Sequence, residues 1–398
     1  MGLCMAGIDV HGADVAQREP FAFSEEQAAQ LMTSVVSYPG VHGAVLLTTC
    51  NRTELYLSME PDAGIMPDEL LLRYTASAPE KFPGNIKQGT AAAQHLMEVA
   101  CGLHSQILHE EQIVTQVGQA IRRARQCRTA DAVLDSLFRN AVSAGKEALT
   151  QVSVSSVPLS VSYGALKRLE QHLGALDGKT CLVIGNGSMG RQTAALLQEK
   201  GCRVFMTLRT YHHGETVIPF GVTPIPYEQR FVQMESSEIV ISATRSPHYT
   251  VRAKQLTQLD HRPRLILDLA MPRDIEPECS GIDGVTVWNL DQFGLDAAPD
   301  ANAIAALEQI AAQYADAFQM WQNYRESVPY MQELKQLAAQ RILRSTDAAP
   351  YAGTADLEQI VTLAAGKTVD MLMGSMKAQI CPELLRQCCE KIKDRGRF

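Results

Sequence analysis

Short apolar runs separated by stretches of helical period fill the middle of the chain. CLVI (181–184), CRVFMTL (202–208), EIVISAT (238–244), RLILDLA (264–270) and VTVWNL (285–290) read as strands. A helix follows the first run as far as Lys200, with Gly201 as its stop. Strands alternating with helices in this way predict a parallel, doubly wound sheet. Nearer the N-terminus, GAVLLTT (43–49) and TELYL (53–57) predict two strands around a polar turn that carries Cys50, Asn51 and Arg52. Thr90 reads as the N-cap of a helix over AAAQHLMEVACGL. Ile113, Val117, Ala120, Ile121 and Ala124 then recur at helical spacing, and LDSLFRNAVSAGKEAL predicts a further helix.

The Ser- and Val-rich stretch TQVSVSSVPLS (150–160) marks a boundary. Beyond Asp291 the pattern is helical: one long amphipathic helix over 301–328, a break at Asp-Ala-Ala-Pro, then helices over 356–377 and 382–393. Such an appendage hides its apolar stripes only against neighbours, which points to a homodimer. The expected fold is α/β and multidomain. An N-terminal α+β domain spans 1–155, a Rossmann-type doubly wound nucleotide domain 156–292, and a long linker helix with an all-helical dimerisation domain 293–398.

Composition changes this picture little. A chain of 398 residues, 46% hydrophobic and 20% charged, suits two or three globular domains. No apolar run reaches the roughly 18 residues of a membrane span. The N-terminus lacks the basic start of a signal peptide, so a cytoplasmic protein is expected. None of the ten cysteines forms a CxxC pair, so neither a zinc knuckle nor a disulfide framework is expected, and no metal site. A net charge of −8 argues mildly against bulk nucleic-acid binding. Arg122, Arg123, Arg125 and Arg128 nevertheless form a local basic cluster, and EKIKDRGRF ends the chain with more.

The chemistry-bearing motifs lie in both halves. Gly185, Gly187 and Gly190 make a GxGxxG between a strand and a helix, where backbone N–H groups at the helix start hold a pyrophosphate. The second strand ends in Leu208, Arg209 and Thr210, a cation and a hydroxyl with no acid. That end suits a ribose 2′-phosphate, so NADPH is the expected cofactor. Cys50, in a polar turn with Arg52 close by, has the features of a working thiol. His95 and Ser105 could supply proton chemistry and a hydrogen bond, although by spacing alone His95 is more often a satisfied histidine beside a core.

TTCNRTELY, QHLMEVACGLHSQILHEEQIVTQV, VIGNGSMG, DLAMPRDIEPE and AFQMWQNYRESVPYMQELKQL together resemble, in that order, the glutamyl-tRNA reductase family. The resemblance implies that Cys50 takes the glutamyl group from glutamyl-tRNA as a thioester. Hydride from NADPH then gives glutamate-1-semialdehyde, the first step of the C5 route to 5-aminolaevulinate and tetrapyrroles. It implies a catalytic role for His95 as a base or polariser. It assigns Thr49, Asn51, Arg52, Ser105, Glu110, Glu111, Gln112 and Gln116 to the substrate, and Gly185, Asn186, Gly187, Ser188, Met189 and Gly190 to the cofactor loop. It also implies a dimer joined through the C-terminal helices and handover of the product to glutamate-1-semialdehyde aminomutase. His109 and Thr115 stand where the family usually has glycine. Two other readings stay open on the residues: a small-molecule NADP dehydrogenase of the shikimate type, and a regulator that binds NADPH or glutamyl-tRNA without turnover.

Overall fold

A computed structural model describes residues 2–75, 77–105, 111–152, 161–208, 217–293, 301–343, 357–377 and 380–394. The chain divides into two compact units, Gly2–Ala311 and Ala312–Phe398.

The first unit holds both sheets. Strands β1 (Gly2–Asp9), β2 (Val41–Thr48), β3 (Arg52–Met59) and β4 (Asn85–Gln88) form an antiparallel sheet in the order β2-β3-β1-β4. Helices α1 (Val15–Arg18), α2 (Glu25–Val35), α3 (Pro67–Tyr74), α4 (Gly89–Ala100), α5 (Glu111–Gln126) and α6 (Ala132–Gln151) accompany it. Local chemistry sets several helix starts. Ser24 and Gln27 close a capping box on α2, and Asp131 accepts from the Leu134 amide at the head of α6. The cap of α4 is Gln88, so Thr90 lies inside the first turn rather than before it. The central strand β1, which the sequence pattern did not single out, is buried along almost its whole length.

Register decides what the sheet offers its neighbours. Met5 lies opposite Tyr56 and Lys87, Gly7 opposite Glu54 and Asn85, and Asp9 opposite Arg52. With a side-chain period of two, these residues share one face. Helix α4 packs against β1 and carries His95.

The second sheet is parallel throughout: β5 (Thr180–Ile184), β6 (Arg203–Leu208), β7 (Thr223–Pro226), β8 (Ile239–Ser242), β9 (Leu265–Asp268) and β10 (Thr286–Trp288), ordered β10-β9-β8-β5-β6-β7. Helices α7 (Val161–Leu173), α8 (Ser188–Glu199), α9 (Arg230–Glu235) and α10 (Ala253–Thr257) flank it. The strand order reverses at β5, which opens a crevice beyond the strand ends where doubly wound proteins take ligands. Strand β7 escapes the sequence pattern because Pro224 and Pro226 have no N–H to give; they are tolerated because β7 is an edge.

Helix α11 (Ala301–Leu343) begins in the first unit and runs past Pro329, longer than its amphipathic pattern predicts. In the second unit it packs with α12 (Leu357–Ser375) and α13 (Pro382–Asp394) through Met331, Leu334, Ile380, Leu385 and Cys389. Among the described residues no helix is long and apolar enough to cross a membrane.

Candidate active site

The turn between β2 and β3 is shaped by Thr49. Its hydroxyl oxygen accepts the Asn51 and Arg52 amides, each at 3.1 Å, and its own N–H donates to the Arg52 carbonyl at 2.9 Å. Both acceptor positions of the hydroxyl are thus used, which leaves its proton to donate elsewhere. Cys50 projects from this turn, half-buried. It packs against the apolar cluster of α7, α8 and the parallel sheet, the same cluster that Met189 of the glycine loop packs against. Burial pushes the thiols of Cys4 and Cys279 up to about 11 and that of Cys101 up to about 12, so these three stay protonated at neutral pH.

Arg18, itself buried, ties the turn to Asp291, just past the last strand of the parallel sheet. Its Nε donates to the Ala13 carbonyl at 3.2 Å, Nη1 to the Cys50 carbonyl at 2.7 Å, and Nη2 to Asp291 Oδ1. Beside it Arg273 Nε donates to Glu19 Oε2 at 2.9 Å. The Asn51 side-chain oxygen is buried with no hydrogen-bond partner among the described residues, an acceptor that a bound donor could satisfy.

A charged network lies on the face of the sheet that carries Gly7. Arg52 Nη1 donates to Glu54 Oε1 at 2.9 Å and Nη2 to the His104 carbonyl. His95 Nε2 also meets Glu54 Oε1 at 2.9 Å, and the Tyr56 hydroxyl donates to Glu54 Oε2 at 2.7 Å. Burial alone would raise Glu54, but His95 and Arg52 outweigh it and hold the carboxyl well below the usual range. Burial, with Glu54 beside it, pushes the Tyr56 phenol well above its ordinary value. Lys87 Nζ lies 3.1 Å from His95 Nδ1. An ammonium only donates, so Nδ1 is the acceptor and Nε2–H points at Glu54.

A cavity of about 240 Å³ opens here, with Gly7, Asp9, Glu54, Lys87, His95 and His104 in its wall. A Cβ on Gly7 would stand 2.7 Å from Glu54 Cγ, so glycine makes the room. Cys50 does not line this cavity. The site therefore has two parts: a thiol packed against the parallel sheet, and a charged pocket behind Arg52.

The remaining sequence candidates fall as follows. Ser105 is buried, Gln112 is exposed and Gln116 half-buried on α5, and Thr115 is exposed. Glu111 opens α5, but its side chain lies outside the described residues, as do Glu110, His109 and Arg209 altogether. In the basic cluster, Arg123 pairs with Glu25 at 3.2 Å and Arg125 with Asp135 at 2.6 Å, which offsets part of its charge. Sequence reasoning missed Arg18, Glu54, Lys87, Glu98 and His104. For Glu54 a signal was present, since two residues beyond Arg52 on a strand means the same face.

The glycine loop joins β5 to α8. Gly185 has φ +109°, and a Cβ on Gly190 would sit 2.2 Å from the Gly185 carbonyl oxygen, so the turn and helix close tightly. Gly187 is the N-cap of α8, with no side-chain cap, and a Cβ there would meet only Ala243 O at 3.9 Å. That open cradle at a helix start, flanked by exposed Ser188 and half-buried Met189, fits a dinucleotide pyrophosphate. The buried Asn186 side-chain oxygen has no partner among the described residues, which again leaves an acceptor for a ligand. Past the end of β9, Asp274 accepts from the Ser242 hydroxyl at 2.7 Å and the Thr244 amide at 2.8 Å. Burial, then Asp274, pushes the neighbouring Asp268 up to about 7.

Comparison with known proteins bears on both halves. Residues 6–152 match the family model described as glutamyl-tRNA(Glu) reductase, N-terminal domain, and residues 167–294 match the one described as shikimate / quinate 5-dehydrogenase. The chain is 36% identical over 332 residues to a glutamyl-tRNA reductase of Alkaliphilus oremlandii, covering 82% of this chain and 99% of that protein. It is also 36% identical over 334 residues to a multifunctional siroheme biosynthesis protein of Ruminiclostridium josui, covering 83% of this chain but 65% of that longer protein. Among solved structures, the glutamyl-tRNA reductase of Methanopyrus kandleri matches with a TM-score of 0.50 and 25% identity, over 98% of each chain.

Proposed function

The chain belongs to the glutamyl-tRNA reductase family, and we propose that it reduces glutamyl-tRNA(Glu) with NADPH to glutamate-1-semialdehyde through a Cys50 thioester, opening the C5 route to tetrapyrroles. One observation carries this reading: the half-buried Cys50 and Met189 of the glycine loop pack against one apolar cluster, which puts a thiol beside the nucleotide-binding sheet.

The Cys50 thiolate attacks the ester carbonyl carbon. A C–S bond forms, the acyl–oxygen bond to the tRNA ribose breaks, and the freed ribose oxygen takes a proton. A thioester stays electrophilic enough for the next step. NADPH, when bound, supplies the hydride that reduces the acyl carbon; the C–S bond breaks and sulfur leaves as thiolate. Gly185, Asn186, Gly187, Ser188, Met189 and Gly190 hold the pyrophosphate, with Arg209 for the ribose 2′-phosphate. Thr49, Asn51, Arg52, Ser105, Glu110, Glu111, Gln112 and Gln116 take the glutamyl group. Asn51 is supported by its orphaned buried oxygen and Thr49 by its spare hydroxyl proton. His95, held by Glu54 in the tautomer that turns Nδ1 away from that acid, serves as base or polariser.

The chain works as a cytoplasmic homodimer through its C-terminal helices, where Leu372, Met376 and Leu384 are exposed. It binds tRNA by shape and charge and passes the semialdehyde to the aminomutase. The test is NADPH oxidation by the purified protein offered glutamyl-tRNA, free glutamate or shikimate-type acids. Turnover with charged tRNA alone, lost in Cys50→Ser, is expected. Turnover of a free acid, or full activity in Cys50→Ser, contradicts the proposal.

A further inference from the structure

We propose that His95, Glu98 and His104 form a binding site for one divalent transition-metal ion of the zinc class, taken up beside the cavity in exchange for the Lys87 ammonium. One ligand atom from each of the three lies within 4.8 Å of the other two. His95 and Glu98 stand three apart on α4, hence on one face. The chain then turns back, with the Leu103 amide donating to the Glu98 carbonyl at 3.0 Å, and brings the His104 ring to 5.1 Å from that of His95.

The donors are the right kind and correctly prepared. His104 Nε2 and Glu98 Oε2 are 2.8 Å apart, so a proton now sits where an ion would. His95 directs the lone pair of Nδ1 at Lys87 Nζ, 3.1 Å away, a cation already occupying the position. Its other nitrogen donates to the buried Glu54 carboxylate, the outer partner that metal-binding histidines characteristically have. Tetrahedral ligands at ~2.0–2.1 Å from zinc are themselves ~3.3 Å apart. Closing the set asks only small movements of Glu98 and His104, whose side chains are 24% and 34% exposed. His95 is buried and fixed. Two imidazoles and one carboxylate select zinc, cobalt or nickel over magnesium or calcium, which require oxygen ligands. His95 and His104 both line the cavity, which could supply water as a fourth ligand.

The binding stands whatever reaction the protein runs. That an ion here would occupy His95 Nδ1 and inhibit turnover rests on the reductase reading. The test is titration of the full-length protein with Co²⁺, followed by its visible absorption and by competition with Zn²⁺. One ion per chain without sulfur-to-cobalt charge-transfer bands is expected. Affinity should fall roughly 10–100-fold in Glu98→Gln and in His104→Ala, and rise in Lys87→Met. The proposal is overturned by absence of stoichiometric binding, by thiolate bands, by unchanged affinity in both ligand variants, or by weaker binding in Lys87→Met. A protein that binds the ion but makes no semialdehyde would count against the reductase reading alone.

Discussion

Replacing Glu54 with glutamine keeps the shape of the buried network and removes its carboxylate charge. Three groups converge on that carboxylate: the Arg52 guanidinium and His95 Nε2 on Oε1, and the Tyr56 hydroxyl on Oε2. The Arg52 side chain is only 1% exposed, so water cannot replace the lost partner. Breaking a buried ion pair by removing one member costs ~3–5 kcal/mol, and glutamine, which keeps an acceptor, belongs near the lower end. Glu54→Ala should cost more, because it also strands the Tyr56 hydroxyl, which is worth ~1–3 kcal/mol. The double variant Arg52→Met/Glu54→Leu should lose less than the sum of its singles, with a coupling of ~1–3 kcal/mol. The pH dependence has a definite sign. The folded-state carboxyl lies below its ordinary 4.5, so its contribution is whole above that value and is lost as pH falls further. The gap between wild type and Glu54→Gln should therefore close in acid. Urea unfolding followed by far-ultraviolet circular dichroism measures it. A glutamine variant within ~0.5 kcal/mol of wild type at neutral pH, or a gap that widens in acid, would refute the reasoning.

Other changes probe the joints around the site. Asp291→Asn weakens the tie through which Arg18 holds the Cys50 carbonyl; acylation of Cys50 should persist while thioester reduction slows ~10-fold or more, in single-turnover assays of each step. Equal slowing of both steps would contradict that placement. Gly187→Val enters open space and should keep the fold but weaken NADPH binding, whereas Gly190→Ala meets the Gly185 carbonyl and should lower both; thermal unfolding beside NADPH fluorescence titration separates them. Asp268, ordinarily near 3.8 and here about 7, is buried at increasing cost as it ionises. Wild-type stability should thus fall relative to Asp268→Asn as pH rises through that window, measured by thermal midpoint.

Much of the architecture was legible because burial on both faces gives parallel strands continuous apolar runs, as in CLVI and RLILDLA. The same property hid β1, whose apolar run at the N-terminus has no polar alternation to mark it as a strand. Strand β7 was hidden by its prolines. Helix α11 outran its pattern because Pro329, read locally, signals an end. Cys50 was legible as a polar interruption between two strands, and the family resemblance on which its role rests agrees with both domain matches. Thr49, Asn51 and Arg52 adjoin it in the sequence, and the strand period puts Glu54 on the face of Arg52. The contacts between distant segments were not legible: Arg18 reaches Cys50 across 32 residues and Glu54 meets His95 across 41, so both come from the tertiary fold rather than from local spacing.

The central claim is covalent chemistry at one sulfur. Intact-mass and peptide analysis of the protein mixed with glutamyl-tRNA, NADPH withheld, tests it most directly. A glutamyl adduct on the peptide bearing Cys50, missing from Cys50→Ser and discharged as semialdehyde when NADPH is added, is the expected result. An adduct on another residue, or semialdehyde formed by Cys50→Ser at the wild-type rate, would contradict it.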